Sequence, residues 1–321
     1  MLWIGIGIVV LFIIGILFGS DEDTPKTQPD IQPENDRWAA ARAADKPLIA
    51  EGWSQPIRLP MNNIDDHWGD SLYVAPDGNT IYFMEYPGDL LSVELGKKPQ
   101  QDPFKGYNAD IYKSDKPFMK KEKVKLYYFV ENPWSAWGPM IDADGNFFYS
   151  SNRYGMDDGI YEGDIYWNDE RLPFNKETIA QDNPYYCKAR DELWMSFGKD
   201  EGIMVLKNAV ANNFAGEPEL APAPIQIPNT KQTQPFLTED CTTLYFASNR
   251  DEEWKLAIYV SKRLGEDVWS QPEKVIWNSQ YAVGEPTLTA DGKKLFYEQV
   301  LSQGEGENQE FTTEFFYIEK V

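Results

Sequence analysis

The chain has 321 residues, with 30 Lys plus Arg against 52 Asp plus Glu, a formal net charge of −22. That charge opposes contact with a polyanion, which excludes a nucleic-acid protein and a loose binder of anionic lipid. Hydrophobic residues at 42% and aromatic residues at 14% exclude a disordered chain; two cysteines exclude a disulfide framework, and the one histidine, His67, excludes a multi-histidine metal centre.

Residues 2–18 read LWIGIGIVVLFIIGILF and carry no charge. A helix crosses a bilayer with about 20 such residues. A cleaved signal peptide is the competing reading, but the stretch lacks a basic n-region, and cleavage after Gly19 would put Leu17 at the third position back. The expectation is one uncleaved transmembrane anchor over residues 1–20, in an inner membrane. The short N-terminus stays inside, and the acidic domain lies in the periplasm. The polar run DEDTPKTQPDIQPENDR that follows holds Pro25, Pro29 and Pro33. Such a segment buries too little apolar area to fold, so residues 21–50 are read as a Pro-rich acidic linker.

The remainder, 51–321, repeats itself. Five segments share one form: DSLYVAPDGNTIYF (70–83), GPMIDADGNFFYSSNR (138–153), NPYYCKARDELWMSF (183–197), QPFLTEDCTTLYFASNR (234–250) and EPTLTADGKKLFY (285–297). Each is a short strand, a tight turn and an aromatic-rich second strand. Asp-Gly at 77–78, 144–145 and 291–292 supplies the positive φ of hairpin turns, while the third and fourth copies have lost that Gly. A third strand follows in each copy: ADIYKS (109–114), GDIYWN (163–168), GIMVLK (202–207), LAIYVS (256–261) and EFFYIE (314–319). Fourth strands are expected at VWSQPEKV (268–275) and, in the third copy, at APIQIP (223–228). Steps between the turns after Asp144 are 47, 49 and 51 residues, the spacing of four-stranded propeller blades. An insertion at about 85–107 lengthens the first step.

The fifth copy ends without a fourth strand, and residues 52–59, GWSQPIRL, nearly duplicate VWSQPEKV. If 52–59 completes the last blade, the ring closes and no sheet edge stays open. The predicted fold is therefore an all-β, five-bladed propeller of four-stranded antiparallel blades, closed by an N-terminal strand and preceded by one transmembrane helix.

The motifs APDGNTIYF, TEDCTTLYFASNR, and DADGNFFYSSNR with GDIYWN resemble the PD40, or WD40-like, repeat of TolB-like proteins. The resemblance covers about residues 52–321. It implies a periplasmic propeller that binds protein partners. The chain differs from TolB in its five copies and in lacking an α/β domain of the TolB kind.

Aromatics of the second strands, such as Ile81 with Phe83 or Leu244 with Phe246, are expected to wedge between sheets. The Arg of Asn152-Arg153 and Asn249-Arg250 is expected to satisfy a carbonyl or carboxylate, Asp164 for Arg153. Candidate function sits at the starts of the innermost strands, which line a propeller's channel. The aligned positions are read as Asp70, Gly138, Asn183, Gln234 and Glu285. The predicted ligand-binding set is Trp68, Asp70, Trp137, Asp182, Gln234 and Glu285. The leading expectation is a non-enzymatic platform that binds a protein partner or small ligand at the propeller face, with membrane contact through 2–18. No nucleic acid, cofactor or metal is expected. The alternative is a glycoside hydrolase-like enzyme in which Asp70, Asp182 and Glu285 form a carboxylate triad, with Trp68 and Trp137 stacking on sugar. His67 is read as an exposed loop residue, DADGN (142–146) as a hairpin turn rather than a calcium loop, and Cys187 and Cys241 as separate thiols.

Overall fold

The computed structural model describes residues 36–61, 67–99, 108–126, 134–153, 163–176, 179–198, 202–252 and 255–321. The anchor expected over 2–18 and most of the linker lie outside the described residues. Among the described residues, no helix is long and apolar enough to cross a membrane.

In chain order the structure opens with α1 (Ala39–Ala44), β1 (Leu48–Ile49) and β2 (Ile57–Arg58). Blade 1 is β3 (His67–Val74), β4 (Thr80–Pro87), α2 (Leu90–Glu94), β5 (Asp110–Asp115) and β6 (Glu122–Lys123). Blade 2 is β7 (Ala136–Ile141), β8 (Phe147–Ser151), β9 (Asp164–Trp167) and β10 (Glu170–Arg171). Blade 3 is β11 (Gln181–Cys187), β12 (Glu192–Phe197), β13 (Gly202–Lys207) and β14 (Glu219–Leu220). Blade 4 is β15 (Gln232–Leu237), β16 (Thr243–Ser248), β17 (Ala257–Lys262) and β18 (Glu273–Trp277). Blade 5 is β19 (Ala282–Leu288), β20 (Lys294–Gln303) and β21 (Glu310–Glu319), with β2 on its edge. All pairings within the blades are antiparallel, and the first strands of neighbouring blades pack side by side to form the inner ring.

The ring closes as the duplicated WSQP motif predicts. Ile57 lies opposite Tyr317 and Arg58 opposite Phe316, and Trp53 bridges Lys320. The motif works the same way twice. Ser54 N donates to Glu319 O at 2.7 Å while its Oγ accepts Glu319 N at 3.0 Å. In blade 4, Ser270 N donates to Lys262 O at 2.8 Å and its Oγ accepts Lys262 N at 2.9 Å. One short sequence thus fixes the entry of the fourth strand in two blades.

The N-terminal segment reaches further than its composition suggests. β1 adds a fifth strand to blade 4, with Leu48 opposite Trp277 and Ile49 opposite Ile276. The compact unit runs Arg37–Val321, so residues 37–50, read as linker, belong to the propeller. Trp38 and Asp45 are buried there, and Asp45 accepts from Ser279 Oγ and from Gln280 N, both at 2.9 Å. Elsewhere, the outer strand of blade 3 is Glu219–Leu220, not 223–228. Pro222 and Pro224 cannot donate to a ladder, and Arg250 takes the carbonyls of Pro224 and Ile225 instead.

Aromatic side chains fill the wedges between blades, as expected. Phe83 meets Phe315 across blades 1 and 5 at 5.4 Å, Phe148 meets Tyr186 across blades 2 and 3 at 5.6 Å, and Tyr185 meets Phe236 across blades 3 and 4 at 4.7 Å. Asn152 and Asn249 receive the backbone N–H of Ser135 and Lys231, tying each hairpin to the start of its inner strand. Arg153 does not pair with Asp164. Its guanidinium donates to Asp169 O at 2.6 Å and stacks on Tyr166 at 3.7 Å, because Arg171 already holds Asp164 in a two-pronged pair.

The cysteines are a second correction, since Cys187 and Cys241 form a disulfide with Cα atoms 5.9 Å apart. Cys241 takes the turn position that Gly holds in other copies, at φ 57°. It thereby meets the end of the inner strand in the preceding blade.

Candidate functional site

Each innermost strand carries the same defect. Register shifts fall between Asp70 and Tyr73, Trp137 and Met140, Asp182 and Tyr185, Thr233 and Phe236, and Gly284 and Thr287. Inside each bulge one residue adopts the left-handed region: Ser71 (φ 56°), Gly138 (59°), Asn183 (50°), Gln234 (57°) and Glu285 (52°). Pro follows in four of the five, and a bulge accommodates its missing N–H. The first copy was therefore aligned one residue early. Ser71, not Asp70, is the equivalent of Glu285, and the slip arose because Leu72 stands where the others have Pro. Asp70 belongs to the ring above, with Trp137, Asp182, Thr233 and Gly284. Left-handed conformations at Ser, Gln and Glu each cost roughly 1–3 kcal/mol, and strain of this kind gathers where a side chain must be aimed.

The bulges bring carboxylates together at one mouth of the channel. Glu285 is buried; its Oε1 accepts from Asn183 Nδ2 at 2.8 Å and from Gln234 Nε2 at 2.6 Å. Gln234 Oε1 in turn accepts Glu285 N at 3.1 Å, so neighbouring inner strands are cross-linked. Asp70 lies in hydrogen-bond contact with Glu285 and also with Glu298, a residue of β20 directly opposite Gly284. Burial first, then the charge of Asp70, raises Glu285 well above the usual carboxylate range. Glu298 is raised in the same way, by burial, by Asp70 and by Glu285. Asp182 stands nearby. Its Oδ1 accepts the Trp137 indole at 2.9 Å, and burial, with a smaller push from Asp70, lifts it to about 6.

Asp70, Trp137, Asp182, Gln234 and Glu285 of the six predicted site residues thus stand on the inner-strand bulges. Trp68 donates its indole to Asp70 at 3.2 Å, but its ring is packed with Met84, Tyr86 and Phe311 and offers no face for sugar stacking. Trp137 is half-buried against the same cluster. His67 opens β3 rather than a loop, with Nδ1 3.5 Å from Glu85 Oε2; Asp65 and Asp66 lie outside the described residues. DADGN is a hairpin turn, with Asp142 Oδ1 capping the N–H groups of Asp144 and Asn146. Glu298 was missed. Its position in the repeat is Met84, Ser150, Ser196 and Ala247 in the other blades, so a lone Glu there was the available signal.

The bulge residues Ser71, Gly138, Asn183, Gln234 and Glu285 line a small open pocket together with Tyr73, Tyr185 and Phe236.

Asp182 gives this mouth a pH signature. Its proton is held more tightly in the folded state than in the unfolded chain, whose value is near 3.8. Between that value and about 6 the folded state binds the extra proton, so this contribution is fully present below 3.8 and lost as pH rises through 6. The two values convert to about 3 kcal/mol. Carboxylates with lowered values, Asp89 and Asp251 among them, push the other way. The expected result is therefore a difference. Asp182→Asn should gain stability relative to wild type as urea midpoints are followed from pH 4 to pH 7. A constant gap between the two curves would refute the assignment.

No family model matches the sequence. No curated protein matches it. Among solved structures, a glycoside hydrolase superposes with a TM-score of 0.47 at 11% identity, over 88% of this chain and 95% of that one. TolB from Acinetobacter baumannii superposes with a TM-score of 0.41 at 10% identity, over 78% of this chain and 54% of that one. This chain therefore spans about half the length of that TolB. A luciferin-regenerating enzyme gives a TM-score of 0.46 at 10% identity, over 86% of this chain and 95% of that one. TolB-like propellers are among the structural neighbours. These are likenesses of fold, under names that differ in chemistry.

Proposed function

We propose that the chain is a membrane-tethered, non-enzymatic binding propeller outside the cytoplasm, recognising a protein partner or small ligand at the mouth formed by the starts of its inner strands. The observation that carries this reading is the engagement of the buried Glu285, whose Oε1 accepts from Asn183 Nδ2 at 2.8 Å and from Gln234 Nε2 at 2.6 Å. Glycosidase carboxylates stand about 5–5.5 Å apart to form a covalent intermediate, or about 6.5–9.5 Å apart to admit a water. A buried carboxyl whose oxygen is already taken by two amide donors is not presented to a reacting carbon. Location rests on two supports: the uncharged run at 2–18, and the Cys187–Cys241 disulfide, a bond that persists in oxidising compartments.

The test is performed in intact membranes with a photoreactive residue replacing Lys97, whose ammonium sits over Phe311 in the cluster that packs Trp68. The expected result is an adduct with one defined partner that disappears on Asp70→Lys. Turnover of a glycoside or lactone panel, abolished by Glu285→Gln, would replace this reading with the enzymatic one.

A further inference from the structure

The inner strands end at a second opening, on the side of the hairpin turns. Two residues past the bulges stand Tyr73, Tyr185 and Phe236, and they line a pocket that runs past Val74 and Leu288 to Glu239. The Tyr185 and Phe236 rings meet with centroids 4.7 Å apart. Glu239 is the odd residue of its ring. It lies two positions before the left-handed turn residue Cys241; the same place before Gly78, Gly145, Asp191 and Gly292 is held by Pro76, Ala143, Ala189 and Ala290. The turn itself therefore does not call for an acid. The other polar groups around the pocket are spent. Thr238 and Thr289 give their hydroxyls to Asp240 and Asp291, both at 2.6 Å, and those carboxylates also take N–H groups of their own turns. Tyr73 donates to Ile141 O at 2.7 Å. Glu239 is exposed, no Lys or Arg lines the pocket, and among the described residues the Glu239 carboxylate enters no hydrogen bond or ion pair. Tyr185 is 7% exposed, and among the described residues its hydroxyl has no hydrogen-bond partner. Burial raises the pKa of that hydroxyl and the charge of Glu239 raises it further, which puts the carboxylate within electrostatic reach of the phenol.

We propose that this pocket is a second binding site, for a small methylated ammonium ion. Aromatic rings attract a cation through their quadrupole, and a quaternary ammonium asks for no N–H acceptors from a wall that is otherwise aromatic and aliphatic. Glu239 at the rim supplies the opposite charge, and the net charge of −22 raises the local concentration of cations. A metal ion or a primary ammonium wants several oxygens, whereas this wall offers one carboxylate. The spare hydroxyl of Tyr185 suits a ligand that carries an oxygen on a short arm, as choline does. The cationic head has two chemical sources, a free solute or the phosphocholine end of a lipid.

The test uses the full chain in dodecyl maltoside at pH 7 and constant ionic strength. Choline, phosphocholine and neohexyl alcohol, the uncharged carbon analogue of choline, are titrated by calorimetry. Choline is expected to bind saturably, and neohexyl alcohol roughly tenfold more weakly. Phosphocholine bound as tightly as choline, or tighter, assigns the site to a lipid headgroup; weaker binding assigns it to a free solute. Glu239→Ala installs the residue that Ala143, Ala189 and Ala290 hold in other copies, so the turn should form, and choline binding should fall roughly tenfold. Glu307→Gln removes one exposed charge from the loop between β20 and β21 and should leave binding unchanged. Three results would each overturn the proposal: no saturable choline binding, equal binding of the alcohol, or equal losses from the two variants, which would leave only diffuse attraction by net charge. The comparison of choline with the alcohol uses wild-type protein and stands even if a variant folds poorly. The bulge mouth lies at the other end of the inner strands, so the binding role proposed there stands or falls on its own cross-linking test.

Discussion

Replacing Arg42 and Arg58 together by Ala should destabilise the propeller by about 3–5 kcal/mol, the usual penalty for a buried ion left without its partner. Both guanidiniums grip one carboxylate. Arg42 of α1 reaches Glu314 at 2.6 and 2.8 Å, and Arg58 of β2 reaches it at 2.9 Å twice. The Glu314 side chain is 3% exposed, so water cannot take over. Either single substitution leaves one guanidinium in place and should cost less, about 1.5–3 kcal/mol. Adding Glu314→Leu to the double variant removes the orphaned charge and should restore most of the loss. Urea denaturation at pH 7 measures all four. The double variant should also associate, because loosening β2 exposes the edge of β21. A triple variant no more stable than the double would show that the strand, not the charge, is what the arginines protect.

That ion cluster marks the boundary of what the residues disclose by pattern. The hairpins were legible because Asp-Gly supplies a required φ, and the closure was legible because Trp53-Ser54-Gln55-Pro56 repeats Trp269-Ser270-Gln271-Pro272. β1 was not, since two residues, Leu48 and Ile49, carry no periodicity. The site was half legible. Pro marks the bulge in four copies, so Asn183, Gln234 and Glu285 fell into line, and the copy with Leu72 slipped by one. Glu298 sits in LFYEQV, where alternation reads it as an ordinary outward residue. It is buried opposite Gly284 in the ladder, where Gln234 Oε1 would lie 2.6 Å from any Cβ, and a cross-strand relation of that kind does not exist in one dimension. The disulfide was hidden for a related reason. Strand and turn of successive copies are remote in sequence, the cysteines standing at a separation of 54. The ring geometry makes them neighbours.

The second large effect belongs to that bond. Cys187→Ala with Cys241→Ala should lower stability by about 4 kcal/mol in the chain-entropy account, given the 54-residue separation. Cys187 and Cys241 are 1% and 0% exposed, so two Ala side chains leave a small gap that adds to the loss. The bond also ties blade 3 to blade 4, a seam that Arg263 strengthens by reaching Glu192 at 2.6 Å. Thermal and urea unfolding of the oxidised full chain, against the double Ala variant, gives the number. Because both sulfurs are inside, reductant should act only on unfolded protein. The native chain should keep its bond in millimolar thiol and lose it once urea is added. Mass spectrometry after alkylation reads this directly. Alkylation of both cysteines in native, unreduced protein would remove the disulfide, and with it the support it lends to a location outside the cytoplasm.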